Sequence, residues 1–277
     1  MSDLLVATDL DSCLLDESYS PEPALPAVRA LREAGVPLVL ASSKTRAEVE
    51  PLWRELQLDA PFVVENGGAL LFPEDPHLPW ARPNGGLHAL ELGVQRRELL
   101  LALHEIADET GTRLLGFASL GPSGIAAATG LSPAAAQLAA AREFDEPFLC
   151  EGDDPDAVAR VVARAAARGL RVTRGGRFLH LSGSVDKGHA LLALLRHETA
   201  RGRRHATVGL GDAGNDLGLL QVVDRPILVP RPNGQVDPEL EQALPRAERA
   251  PSPGPAGWNT AVLAVLKGER LTRAVEA

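Results

Sequence analysis

The chain has 277 residues, of which 45% are hydrophobic, and a formal net charge of −9. This length can form one large domain or two modest ones, and the composition is that of a globular protein rather than a disordered or repetitive one. The negative charge argues against nucleic acid as a partner, since no strongly basic face is available to neutralise a phosphate backbone.

The cysteine content and the N-terminal stretch bear on the cellular compartment. The chain has two cysteines, Cys13 and Cys150, in different contexts, so we predict no disulfide framework, and a reducing compartment fits. The N-terminal residues lack the basic and long apolar regions of a signal peptide. No apolar run approaches the roughly 20 residues that cross a bilayer. We therefore expect a cytoplasmic protein with no membrane partner, and leave the oligomeric state open.

The first third of the chain alternates short apolar runs with helical patterns. Such strand–helix–strand alternation with short links predicts a parallel sheet covered by helices on both faces. The strand candidates are 4–10, 36–42 and 61–68, and the helix candidates are 24–35 and 45–58.

A different block follows the Pro- and Gly-rich residues 73–86, which we interpret as a linker. Its patterns are enough for a small α+β layer of roughly 100 residues. They predict strands at 87–93, 112–120 and 146–152, helices at 94–111, 132–143 and 154–169, and a hairpin formed by 170–176 and 177–183.

From residue 186 the alternation of strand and helix patterns seen in the first third of the chain returns. It predicts helices at 186–202, 214–223 and 254–268 and strands at 205–211 and 225–230. The same pattern on both sides of a different block predicts an α/β protein with one discontinuous core and an inserted second domain. We place the core at 1–83 and 184–277 and the insertion at 84–183.

A glycine-rich stretch, GLGDAGNDLGLL (209–220), follows the strand candidate at 205–211. Its glycine spacing fits the fingerprint of a dinucleotide-binding loop. The late position in the chain argues against that interpretation, as does Asp212, whose carboxylate would face the pyrophosphate. Simple capping of the following helix is a second explanation.

Acidic residues also follow the first strand candidate. Asp9 and Asp11 are two residues apart in an extended run, so both carboxylates leave on the same side. Paired anions repel each other unless a cation bridges them or one carries a proton, although ordinary turn aspartates in a solvated loop are an alternative. Together with Asp212 and Asp216 they could converge on one hard ion, and ligands that are all oxygen favour Mg²⁺.

Hydroxyl groups and a lysine could complete an anion site. Ser42 and Ser43 lie in ASSKT at the end of the second strand candidate, and Lys187 begins a helix, where the helix dipole disfavours a cation. Each has an ordinary explanation, as an N-cap cluster or as a surface lysine paired with Asp186. Their common place at strand ends and helix starts favours a shared site at one sheet edge.

The order of these motifs resembles the haloacid dehalogenase superfamily of phosphatases: Asp9 and Asp11 as DxD, then Ser42, Lys187, and GDxxND with Asp212, Asn215 and Asp216. The insertion between the second and third motifs is similar to the Cof-type, class IIB cap of that superfamily. The resemblance therefore implies a Rossmannoid core with an α+β cap. Ser12 and Cys13 depart from it, because the superfamily usually has Gly and often Thr there.

The resemblance also implies a phosphatase that forms an aspartyl-phosphate and acts on a small phosphorylated sugar acid. It assigns catalysis to Asp9 as nucleophile, Asp11 as general acid and base, and Lys187. It implies Mg²⁺ held by Asp9, Asp11 (through its carbonyl), Asp212 and Asp216, and phosphate held by Ser42, Ser43, Lys187 and Asn215. In the insertion and the segment after it, the candidates for substrate binding are Arg142, Glu143, Arg177 and Ser184.

Three alternatives remain at this point. A related sugar-phosphate phosphatase or a phosphomutase would use the same motifs. A receiver-like signalling module is also phosphorylated on aspartate, but the large insertion argues against it. A dinucleotide-dependent enzyme is the third.

Overall fold

A computed structural model describes residues 3–73, 82–84, 86–175 and 177–272. Up to residue 64 the chain forms alternating strands and helices, as its hydrophobic pattern predicts, and three further strands follow without an α-helix between them. These elements are β1 (Asp3–Thr8), α1 (Leu25–Glu33), β2 (Leu38–Leu40), α2 (Arg46–Glu55), β3 (Phe62–Val64), β4 (Ala69–Phe72), β5 (Arg82–Asn84) and β6 (Leu87–Glu91).

Residues 92–186 contribute a second set of elements, which largely follows the order predicted for the insertion. The set comprises α3 (Arg96–Thr110), β7 (Leu114–Gly116), α4 (Phe117–Thr129), α5 (Pro133–Ala140), β8 (Asp145–Cys150), α6 (Pro155–Ala167), β9 (Arg171–Gly175) and β10 (Phe178–Ser182). The remaining elements are α7 (Lys187–Ala200), β11 (His205–Gly211), α8 (Leu217–Val222), β12 (Arg225–Leu228), α9 (Pro238–Ala243), β13 (Glu248–Arg249) and α10 (Gly254–Leu266).

The central sheet is parallel and has the strand order β13-β12-β11-β1-β2. Side chains along β1 alternate between its two faces. Val6 packs in a cluster with Val28 of α1 and Trp258 of α10. Leu5 packs in a separate cluster with Leu191 of α7. The predicted α/β class, with helices on both faces of a parallel sheet, is confirmed.

The chain order of the strands brings distant segments together. β1, near the N-terminus, pairs along its whole length with β11, so that Thr8 lies opposite Leu210. Both strands run in the same direction, and their carboxyl ends therefore meet at one edge of the sheet. This edge carries the polar motifs of the sequence.

The insertion has an antiparallel sheet of its own, ordered β7-β8-β10-β9. The predicted hairpin corresponds to β9 and β10. Helices α3 and α6 cover one face of this sheet through apolar residues such as Leu99 and Val161, which pack against Phe148.

The strand predicted at 112–120 is wrong in its second half. It ends at Gly116, and α4 begins at Phe117. The cause is the buried carboxylate of Glu146, which accepts a hydrogen bond from the backbone N–H of Ala118 at 2.8 Å. Glu146 Oε1 also lies so close to Gly116 that a Cβ atom there would be 2.4 Å away. A contact from β8 therefore decides the change from strand to helix.

A third sheet lies beside the end of β2. It is antiparallel, with the order β3-β4-β6-β5, and an isolated bridge from Ala41 to Val63 links it to the end of β2. Strand β6 pairs with β4, although we placed residues 87–91 in the insertion. Most of the predicted linker, 74–81 and 85, lies outside the described residues. The division into two domains stays a prediction.

Within the described part of the chain, no helix has both the length and the apolarity that a membrane span needs.

Candidate active site

Backbone pairing at the end of β1 positions Asp9. Its N–H donates to the carbonyl of Leu210 at 3.0 Å, which extends the pairing with β11 to the first aspartate of the DxD motif. Below it, the buried indole of Trp258 donates to Thr8 Oγ1 at 2.8 Å, and Thr8 Oγ1 donates to the carbonyl of Asp9 at 2.8 Å. The backbone that carries Asp9 is thus held from both sides.

Lys187 lies entirely inside the protein, at the first position of α7. Its Nζ donates to Asp9 Oδ1 at 2.5 Å and to Asp216 Oδ1 at 2.6 Å. Burial by itself lowers the pKa of a lysine, but Asp216 and Asp9 outweigh it and raise the pKa of Lys187, so the group is a cation. The explanation of Lys187 as a surface lysine paired with Asp186 is therefore wrong: Asp186 instead caps α7 by accepting the His189 N–H at 2.9 Å.

Asp212 and Asp216 come from the loop after β11. Asp216 Oδ2 accepts the backbone N–H groups of Asp212 at 2.9 Å and Ala213 at 3.1 Å, which folds the loop around this carboxylate. The bond to Ala213 closes the short 3₁₀ turn 214–216, but the Asp216 side chain makes no capping bond to α8, and its other oxygen binds Lys187. Asp212 is only 7% exposed and has the guanidinium of Arg231 at 3.7 Å.

The three buried carboxylates of Asp9, Asp212 and Asp216 offer ligand atoms within 4.8 Å of one another. Burial raises the pKa of Asp9 well above its ordinary value, and Asp216 adds to the rise against the opposing Lys187. Burial and Asp216 likewise raise the pKa of Asp212 to about 7. Lys187 and the more distant Arg231 do not balance three such carboxylates. A divalent cation with oxygen ligands would, and the donor set therefore fits Mg²⁺.

The carboxylate of Asp11 lies outside this group of three. Its Oδ1 is 3.1 Å from Lys44 Nζ, and the side chain is 42% exposed. Burial lowers the pKa of Lys44, but Asp11 and Glu48 outweigh this effect and raise it, so Lys44 is a second cation at this edge. Between Asp11 and Cys13, Ser12 adopts a φ of 57°, in the left-handed region that glycine favours. The loop keeps the backbone shape that the usual glycine would permit.

The residues expected to bind phosphate lie at the same edge. Ser42 is fully buried, and its Oγ accepts the backbone N–H of Lys44 at 3.1 Å. Ser43, which is half-buried, follows it. Asn215 is exposed and donates to Asn66 Oδ1 at 3.2 Å.

Arg142 and Glu143 lie in the loop after α5, where the insertion meets the core. The Arg142 guanidinium donates to the carbonyl of Ser43 at 3.1 Å and to Asp145 Oδ2 at 2.8 Å. Glu143 points its side chain to solvent, while its backbone N–H donates to Glu65. The structure thus brings this predicted pair to the edge that carries Ser43.

Arg177 and Ser184 are placed differently. Arg177 is exposed and donates to the carbonyl of Ala128 at the end of α4, at 2.6 Å, so its described partner belongs to the insertion. Ser184 is exposed in the segment that connects β10 to α7.

Sequence reasoning missed Lys44, Glu65 and Arg231. Lys44 stands in ASSKT beside the two serines that were singled out, and Glu65 is an acidic residue at the end of a buried strand. Both had the positional signal that identified Asp9. Arg231 had none, because it lies beyond the end of β12 and reaches Asp212 only through the fold.

Known proteins resemble this chain in sequence and in fold. Residues 6–77 match the family model of haloacid dehalogenase-like hydrolases. Among solved structures, a subclass IIB sugar phosphatase of that superfamily has a similar fold, with a TM-score of 0.62 at 14% identity, covering 96% of this chain and 98% of its own. The fold is thus similar to that of haloacid dehalogenase-like hydrolases of subclass IIB.

Two curated relatives cover almost the whole chain. The glucosyl-3-phosphoglycerate/mannosyl-3-phosphoglycerate phosphatase of Methanococcoides burtonii is 38% identical over 94% of this chain and 96% of its own length. The protein of the same name from Persephonella marina is 36% identical over 95% of this chain and 97% of its own. The chain belongs to the haloacid dehalogenase superfamily and is a phosphatase.

Proposed function

We propose that the protein is a Mg²⁺-dependent phosphomonoester hydrolase that converts mannosyl-3-phosphoglycerate to mannosylglycerate and phosphate. The observation that carries the proposal is the buried Lys187, held between Asp9 and Asp216 with Asp212 beside them. The names of the two relatives support a glycosyl phosphoglycerate as substrate. Since mannose and glucose differ at one hydroxyl, glucosyl-3-phosphoglycerate is the second candidate of the same class.

Asp9 is the nucleophile in this proposal. Its carboxylate oxygen attacks phosphorus, the bond from phosphorus to the glycerate oxygen breaks, and an aspartyl-phosphate forms; water then cleaves it to free phosphate and restores the carboxylate. The backbone pairing with Leu210 and the contact with Lys187 fix the position of this oxygen before substrate arrives.

Asp9, Asp212 and Asp216, with the backbone carbonyl of Asp11, are the residues that would hold Mg²⁺. When bound, the ion supplies positive charge that offsets the repulsion between the Asp9 carboxylate and the phosphoryl oxygens. Lys187 contributes a fixed positive charge from the protein itself, and Ser42, Ser43 and Asn215 offer hydrogen bonds to the same phosphoryl group.

Asp11 is the general acid and base in this proposal. It protonates the leaving glycerate oxygen and then takes a proton from the attacking water, a role that contributes about 10²–10⁴-fold in rate. Its side chain is the most exposed of the four motif aspartates and stands apart from the buried trio, which suits a group that exchanges protons with substrate and water.

Local cations attract the anionic substrate to a chain of net charge −9. Lys44 Nζ lies 3.1 Å from Asp11 Oδ1, and the Arg142 guanidinium donates to the Ser43 carbonyl at 3.1 Å. Arg142 suits the glycerate carboxylate because its guanidinium can bind both oxygens. The exposed carboxylate of Glu143 can accept hydrogen bonds from sugar hydroxyls, and Arg177 and Ser184 remain further candidates in the cap and its connection.

The test is phosphate release from a panel of mannosyl- and glucosyl-3-phosphoglycerate and simple sugar phosphates, with Mg²⁺ and with EDTA. We expect the highest kcat/KM for the mannosyl ester and no turnover in EDTA. Phosphoryl transfer to the product without free phosphate would instead identify a phosphomutase, and no preference for glycosyl phosphoglycerates would contradict the substrate assignment.

A further inference from the structure

A short turn of the core contacts both the cap and the catalytic edge. It consists of residues 65–68, which we name the ENGG turn, between β3 and β4. Glu65 and Asn66 adopt φ angles of 49° and 55°, in the left-handed region. Two consecutive non-glycine residues rarely adopt this conformation, which persists only where surrounding contacts impose it.

Glu65 supplies the contact with the cap. Its side chain is almost fully buried and its two oxygens accept the backbone N–H of Glu143 at 2.9 and 3.1 Å. One of them also accepts the N–H of Phe144 at 2.8 Å. From the cap side, Arg96 N–H donates to the Glu143 carbonyl at 2.6 Å. The loop that carries Arg142 and Glu143 is therefore held to the core by this buried carboxylate, in addition to the bond from Arg142 to the Ser43 carbonyl.

The rest of the turn contacts three motifs of the catalytic edge. The Asn66 N–H donates to the Ser42 carbonyl at 2.9 Å, and its side-chain oxygen accepts from Asn215. Gly67 lies against the residue before Lys187, because a Cβ atom on Gly67 would be 2.1 Å from the carbonyl oxygen of Asp186. The turn thus spans the segments that carry the serine, the lysine and the asparagine of the site.

We propose that Glu65 is a positioning residue that fixes the cap loop 141–144 in register with the catalytic edge, so that Arg142 and Glu143 meet the sugar acid while Asp9 faces its phosphate. The inference rests on the proposed function for the roles of Arg142 and Glu143. It predicts that Glu65 matters for a substrate that reaches the cap loop and not for a small phosphate ester.

The variants for the test are Glu65→Ala, which removes both acceptors, and Glu65→Gln, which keeps one carbonyl oxygen. Glu248→Gln is a matched control, because Glu248 is also a buried carboxylate that accepts a backbone N–H, from Leu271 at 2.6 Å, and lies in the core sheet. It separates the general effect of changing a buried carboxylate from an effect on the cap loop.

Hydrogen exchange of the metal-free protein gives a readout that does not depend on activity. In Glu65→Ala we expect the amides of residues 143 and 144 to exchange about tenfold faster, as the loss of a buried hydrogen bond predicts, while those of β8 and β10 stay unchanged. Glu65→Gln should be intermediate and Glu248→Gln should match the wild type at this loop. Unchanged exchange at 143 and 144, or an equal acceleration throughout the cap, would overturn the proposal.

Kinetics give the second readout. For Glu65→Ala we expect kcat/KM for mannosyl-3-phosphoglycerate to fall about tenfold or more, mostly through KM, while kcat/KM for p-nitrophenyl phosphate stays within about twofold. An equal loss for both esters would overturn the positioning role. If the wild type hydrolyses no glycosyl phosphoglycerate, the proposed function fails, and exchange at the cap loop still decides whether Glu65 fastens it.

Discussion

Asp9 is the residue on which the proposed chemistry depends. Asp9→Asn keeps the size of the side chain but removes the nucleophile, so we expect turnover to fall by roughly 10⁴-fold or more. The fold should be retained, because the substitution takes away a buried charge that Asp216 repels. Phosphate release and circular dichroism measure the two outcomes.

Asp16→Asn is the matched control for that variant. Asp16 lies in the same segment, and its carboxylate accepts the backbone N–H groups of Ser18 and Ser20 at 2.8 and 2.9 Å, which an asparagine oxygen can also do. It should keep wild-type turnover. Retained phosphate release by Asp9→Asn would contradict the assignment of the nucleophile.

Ser12 stands where the superfamily usually has glycine, and this difference affects the stability of the folded protein. With a φ of 57° it holds a left-handed conformation that costs a non-glycine residue roughly 1–2 kcal/mol. Ser12→Gly should raise the free energy of unfolding by up to about 1 kcal/mol, since the greater entropy of unfolded glycine offsets part of the relief. Urea denaturation of the metal-free protein measures the change.

Ser18→Gly is the control for Ser12→Gly, and we expect it to change the free energy of unfolding in the opposite direction. Ser18 does not adopt a positive φ, and its hydroxyl donates to Asp16 Oδ1 at 2.7 Å. We expect Ser18→Gly to lower the free energy of unfolding by about 0.5–1 kcal/mol. A destabilised Ser12→Gly would mean that other contacts of the Ser12 side chain outweigh its backbone strain.

At the scale of elements, α7 is positioned by a close approach. The ENGG turn meets the start of the helix at Gly67, which has a φ of 100° and no room for a Cβ atom. Gly67→Ala would displace Asp186 and with it Lys187. We expect a stability loss of about 1–3 kcal/mol and a fall in kcat of at least about tenfold, because small displacements of positioned groups are costly.

Gly202→Ala separates backbone strain from steric clash. Gly202 follows the other end of α7 with a φ of 80°, but nothing lies within 4 Å of a Cβ built on it. It should lose stability without losing kcat. If both variants reduced kcat equally, the contact between Gly67 and Asp186 would not be what positions Lys187.

The buried contact between Glu65 and the loop 141–144 leads us to expect that the stability of the whole molecule depends on pH. Burial raises the pKa of Glu65 from 4.5 to about 7, against the lowering effects of Arg142 and the backbone N–H groups, while Asp145 adds to the rise. The folded state therefore binds this proton more tightly than the unfolded state. Its stabilising contribution is complete below pH 4.5 and is lost as the pH rises to about 7, a change of about 3 kcal/mol.

Comparison with Glu65→Gln isolates this group, because glutamine does not titrate. The wild type should lose about 3 kcal/mol of stability relative to the variant between pH 4.5 and pH 8, as measured by denaturation at both pH values in EDTA. A constant difference between the two proteins would mean that the pKa of Glu65 is not raised.

Binding of the metal should stabilise the folded molecule as a whole. At Mg²⁺ concentrations of about 100 times the dissociation constant, the gain is about 2.7 kcal/mol, or about 5 °C in Tm. Asp212→Asn removes one of the three clustered carboxylates and should reduce this shift strongly. The shift is measured by calorimetry without substrate, and equal Tm values in Mg²⁺ and in EDTA would contradict the metal site.

The local pattern of the chain was sufficient for much of this molecule. Periodicity predicted the parallel sheet and its helices, because residues on β1 alternate between two buried faces. The position of Asp9, Asp11, Asp212 and Asp216 after buried strands predicted a shared edge, because the carboxyl ends of parallel strands meet at the same side of a sheet.

Only the tertiary structure decided the features that depend on contacts between distant segments. Glu146 ends the strand at Gly116, Lys187 is buried between two aspartates that lie far from it in the chain, and Glu65 reaches the backbone of a loop about 80 residues away. No local pattern carries these interactions, since each depends on where another element of the fold presents a carboxylate. The sequence by itself determined which polar residues follow the buried strands, and the fold determined which of them meet and which residues from elsewhere, such as Arg231, join them.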